Sequence, residues 1–168
     1  MKVRTFVLVA LVGVSAAVWG WRTLHRPGKS DIPKLEALLA YAQERRISAY
    51  MSTDLHQSLS MTDRRYCEVD GKVCEPLGAM VFEVFDPQSQ AVHAGLKQRI
   101  QELGLAVNSF GIRFEPDGAI GHAQLVVSDQ YLTWFVYSPG KPWVSSHPQL
   151  AVTHLDGPWY LEEDTDWN

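Results

Sequence analysis

The 168-residue chain has only two cysteines, no CxxC pair, no HExxH among its six histidines and only two adjacent basic pairs, Arg45-Arg46 and Arg64-Arg65. Each scarcity excludes a class. Without paired CxxC or a helical His pair there is no closed zinc site, so no metal centre is expected. Of the fifteen Lys and Arg, five fall within the first 29 residues, which leaves ten against nineteen acidic residues and a formal charge of −9 on the remainder. Neutralising a phosphate backbone needs clustered cations, so nucleic acid is excluded as a partner. No cofactor fingerprint is present, and no cofactor is expected.

Nucleophile motifs are equally thin. The G-x-S-x-A match, Gly13 to Ala17, lies inside an apolar run. Ser138 and Lys141 have S-x-x-K spacing, but Pro139-Gly140 between them forbids the helical turn that motif requires. Asp164 to Asn168 resembles the start of a calcium loop and ends before the glycine and glutamate such a loop needs. Catalysis is therefore not the expectation. One enzymatic alternative stands, a small hydrolase using His122 and His154 on neighbouring parts of a sheet, with Asp129 or Glu115.

What is present begins with Phe6 to Trp21, sixteen apolar or small residues behind Lys2 and Arg4. A charged start feeding an apolar run addresses a chain to a membrane. Residues 5–21 just reach the length of a spanning helix, and Trp19 and Trp21 suit its exit, so a retained anchor is favoured over a cleaved signal. Flanking charges balance and leave orientation open. The expected division is 1–29 as anchor and spacer and 30–168 as one exported domain, since 139 residues suit a single core.

Cys67 and Cys74 supply the missing orientation. Asp70-Gly71 stands midway between them, a two-residue turn signal that folds Cys67 opposite Cys74 within disulfide reach. A disulfide implies an oxidising compartment, so the expected location is the inner membrane, single-pass, with the C-terminal domain in the periplasm or outside.

Along the domain, Asp31 and Pro33 open a helix over 32–47 with Leu35, Leu38, Leu39 and Ala42 on one face. The stretch 48–65 shows little periodicity and is expected to be irregular. Met80 to Phe85 alternates as a strand would, with Phe82 inward. Asp86-Pro87 opens a second helix that carries Val92, Leu96, Ile100 and Leu103 on one face and stops at Gly104. Five extended runs follow, 105–114, 119–127, 131–138, 150–155 and 159–162, separated by turn residues. Connections this short make antiparallel pairs, so the fold class expected is α+β, an antiparallel meander covered on one face by two helices.

The C-terminal half is rich in aromatics, and alternation puts bulky rings on both faces of the 131–138 strand. Trp143, Trp167 and Tyr137 are the candidate contact residues on an otherwise uncovered face. The functional expectation is a membrane-anchored, non-catalytic module that binds another envelope protein. A second expectation is an inhibitor or immunity protein against a lytic envelope enzyme.

Overall fold

Asp31-Ile32-Pro33 and Asp86-Pro87 begin two helices among the described residues, α1 (Ile32–Glu44) and α2 (Pro87–Glu102). Proline fits a first turn, where its missing N–H costs nothing. The Asp86 carboxylate accepts a 2.7 Å hydrogen bond from the Ser89 amide and caps α2 as expected. Asp31 does something else: its carboxylate accepts from the Gly28 amide at 3.1 Å, closing a 3₁₀ turn over Lys29–Asp31 ahead of α1. Both helices end in the same way. Arg46 and Gly104 turn left-handed, with φ 55° and 62°. Their amides bond to the Gln43 and Gln101 carbonyls, while the next amides, of Ile47 and Leu105, reach back to Ala42 and Ile100. This turn stops α1 at Glu44 rather than at Ile47.

The computed structural model describes residues 27–128 and 133–164. Among them no helix is long and apolar enough to cross a membrane, and the Phe6–Trp21 segment lies outside the described residues. The strands are β1 (Ala49–Ser52), β2 (His56–Ser60), β3 (Arg65–Val69), β4 (Lys72–Val73), β5 (Ser109–Phe114), β6 (Ile120–Ser128), β7 (Thr133–Tyr137), β8 (Leu150–Asp156) and β9 (Trp159–Asp164). They form one nine-stranded sheet, ordered β4-β3-β2-β1-β5-β6-β7-β9-β8. The α+β class is as expected, but the sheet is not a simple meander. A helix followed by three antiparallel strands occurs twice, as α1–β1–β2–β3 and α2–β5–β6–β7. The two units join where β1 lies antiparallel to β5.

Two expectations fail here for physical reasons. The stretch 48–65, expected to be irregular, contains β1 and β2. Each buries one residue, Tyr50 or Leu59; Met51 beside Tyr50 breaks the alternation of β1 and the other neighbours are small or polar, so alternation is nearly invisible in the sequence. Met80 to Phe85 alternates well yet forms no regular strand. It finds only bridge contacts, Glu83 with Tyr66 and Met80 with Leu77, and Phe85 rather than Phe82 is buried.

Register explains the core. Tyr66, Leu59, Tyr50, Phe110, Leu125, Phe135 and Leu161 are successive cross-strand partners, so they share one face. None is more than 4% exposed. Tyr50 and Phe110 stack at the junction of the two units, centroids 5.6 Å apart. Over this face lie Leu35, Leu38, Leu39 and Ala42 of α1 and Leu96 and Ile100 of α2. The buried stripe of α2 also includes Ser89 and His93, while Val92 and Leu103 are only partly buried. His93 Nε2 donates to the Met51 carbonyl at 3.1 Å and so ties α2 to β1. At the other end of the sheet Lys29 Nζ lies 3.3 Å from Asp156 of β8.

Candidate functional site

The cysteine hairpin forms as the Asp70-Gly71 signal implies. Asp70 and Gly71 take positive φ of 51° and 72°, Cys74 N–H donates to the Cys67 carbonyl at 2.9 Å, and Cys67 and Cys74 are joined with their Cα atoms 5.4 Å apart. His56 approaches this bond, its Nε2 3.4 Å from Cys67 Sγ. The three side chains together have the look of a metal cluster, but the sulfurs are bonded to each other and supply no thiolate.

The hairpin braces an apolar edge. Of the eight large hydrophobic side chains that are exposed among the described residues, seven fall between Leu55 and Val84: Leu55, Val69, Val73, Leu77, Met80, Val81 and Val84. Leu55 sits beside the hairpin tip, where its carbonyl accepts from Asp70 N–H. The segment 74–85 then runs past β3, held by Glu83 N–H to the Arg65 carbonyl, with Arg64 reaching towards Glu83 and Asp86. That segment carries Glu75 and Glu83 and no basic residue. This sheet margin therefore carries exposed aliphatic side chains on both faces, Val69 on one and Val73 on the other, with carboxylates among them.

The face opposite the helices holds the second group. The ring of Trp143 packs against that of His122 at 4.9 Å and brings the loop after β7 onto the sheet. Trp143 is half-buried, and its Nε1–H is enclosed without a hydrogen-bond partner. Burial holds the His122 imidazole below its ordinary pKa, helped by Arg113 and Lys141 and opposed by Glu162. Ser138 is buried nearby in sequence, but its hydroxyl donates to the Lys141 carbonyl at 3.1 Å and not to the imidazole.

His122 and His154 do not converge. They sit on β6 and β8 with β7 and β9 between them, three strand spacings or about 14 Å apart. His154 Nε2 instead donates to the Gly157 carbonyl at 2.9 Å. Glu115 lies at the β5–β6 turn, Asp129 is outside the described residues, and the two histidines stay on separate strands. Tyr137 faces the helix layer, with its ring edge-on to Trp159 at 5.1 Å, and Trp167 lies outside the described residues. The exposed apolar edge was hidden from sequence reasoning because its alternation imitates a buried strand; the absence of a matching partner strand was the missing signal.

No protein-family model matches the chain, and no curated protein or solved structure matches it either.

Proposed function

We propose that this chain is a membrane-anchored, exported binding module that docks another envelope protein through its disulfide-braced edge. The carrying observation is the concentration of seven exposed aliphatic side chains along that edge. Exposed apolar side chains gathered at one margin of a sheet favour a contact surface there. Arg64, Lys72, Glu75 and Glu83 give this margin charges of both signs, which suits the mixed polar rim of a protein contact. The Cys67–Cys74 bond fits an oxidising compartment, and Phe6 to Trp21 supplies the tether.

The test is site-specific photocrosslinking in intact cells from positions 81 and 84, compared with position 143. A discrete protein adduct from 81 and 84 that is lost in Leu77→Ser/Val81→Ser, with the melting temperature unchanged, supports the edge. Adducts from 143 alone transfer the contact to the Trp143 loop, and lipid adducts alone end the protein-docking reading.

A further inference from the structure

The two ends of the Cys67–Cys74 bond stand in different surroundings. Through the register of β2 with β3, Cys67, Val69, His56 and Ser58 share the face away from the core, whereas Tyr66 and Leu59 point inward. Cys67 is only 6% exposed, while Cys74 is half-buried and opens the exposed 74–85 segment. A group arriving from solvent therefore meets the Cys74 sulfur first.

His56 attends the other sulfur. Its Nε2 lies 3.4 Å from Cys67 Sγ, and the imidazole nitrogen and both sulfurs fall within 4.8 Å of one another. The backbone holds it there: His56 N–H donates to Thr53 Oγ1 at 3.0 Å, and its carbonyl accepts from Thr53 N–H at 2.9 Å across the β1–β2 turn. A disulfide sulfur carries no proton, so the donor in this contact is Nε2–H. The shielded sulfur thus has a hydrogen-bond donor already in place for the charge it would gain if the bond opened.

From this asymmetry we propose that Cys67–Cys74 is a thiol-exchange site, opened by an external thiol that attacks Cys74 Sγ and expels Cys67. As the external sulfur bonds to Cys74, the S–S bond breaks and the electron pair leaves on Cys67. The proton of the incoming thiol passes to the imidazole, so the thiolate departs beside an imidazolium. A second external thiol attacks the external sulfur of this mixed disulfide and gives its proton to Cys74, releasing a disulfide of the two external thiols. Two electrons have then moved from those thiols to the cysteine pair. A thiol leaves faster as its pKa falls, and an adjacent imidazolium lowers it. Exposed Leu55, Val69 and Val73 around the hairpin suit a cysteine flanked by apolar residues. The exchange itself needs only the bond and His56, and stands apart from what docks along the edge.

The test exposes the oxidised full chain to glutathione and, separately, to an apolar peptide with one cysteine, then quenches with acid and follows the products by mass spectrometry. Opening is expected with both, about tenfold slower in His56→Ala. Peptide mapping of the trapped intermediate should place the added thiol on Cys74. In Cys74→Ser the remaining thiol, followed by its thiolate absorbance, should titrate below the ordinary value of about 8.5, and His56→Ala in that background should raise it. Faster opening by the peptide assigns a protein cysteine as the natural thiol, and faster opening by glutathione assigns a small one. A bond that stays closed in both thiols, an adduct on Cys67, or an opening rate and a thiol titration that ignore His56→Ala with the melting temperature retained would overturn the exchange site.

Discussion

The ring of Trp143 lies 4.9 Å from that of His122, tilted by 30°, so a loop residue shields a strand residue on the face away from the helices. Trp143→Ala removes that shield. Burial is the largest cause of the depressed His122 pKa, so it should rise towards the ordinary imidazole value when followed by NMR titration. Loss of the ring contact should also cost about 1 kcal/mol in urea denaturation. A His122 titration that does not move would mean that Arg113 and Lys141, rather than the indole, govern it.

His93 sets a pH dependence of stability. Burial lowers its pKa, Lys97 lowers it further and the hydrogen bond to Met51 opposes them. The unfolded chain therefore takes up the proton first. Stability is complete above about pH 6.5, the ordinary imidazole value, and declines as pH falls from there through the lower folded value. His122 adds to the same limb. His93→Gln should flatten the decline in urea midpoint between neutral and mildly acid pH, and a curve that keeps its slope would remove His93 as its source.

The disulfide closes a short loop, seven residues apart in sequence. Cys67→Ser/Cys74→Ser should lower stability by about 2.5 kcal/mol on the chain-entropy estimate. Hydrogen exchange should accelerate in β2–β4 and the 74–85 segment and leave β6, β7 and β9 protected. Uniform acceleration across the sheet would show that the bond holds more than its edge.

Gly104 is left-handed with no crowding at its Cα; a Cβ would meet only Lys34 Nζ, at 3.8 Å. Gly104→Ala should therefore cost about 1 kcal/mol through backbone conformation alone. Arg46 already bears that strain at the equivalent turn of α1. There Arg46→Gly relieves φ but surrenders the contacts to Gly118 and Phe114, so its melting temperature should change less than that of Gly104→Ala.

Legibility in the sequence followed the strength of local signals. Asp86, Pro87 and Gly104 bound α2 to within a residue or two, and Asp70-Gly71 places Cys67 opposite Cys74. The pairing of β1 with β5 has no local trace, because Tyr50 and Phe110 meet across sixty positions and β1, unlike the alternating β5, buries a single residue. β9 inserts between β7 and β8, which turn residues alone cannot specify. Of the aromatic candidates, Tyr137 and Trp143 found neighbours in Trp159 and His122, partners that alternation cannot name. The run from Met80 to Phe85 looked like a strand with Phe82 inward for the same reason: pattern reports which residues share a face, and only topology reports whether anything covers it.

The Lys29–Asp156 contact fixes where the chain enters the domain: at the β8 margin, eight strand spacings or about 38 Å along the sheet from β4. The first described residues and the Cys67–Cys74 hairpin therefore stand at opposite margins of the sheet, held apart by strand count rather than by any linker.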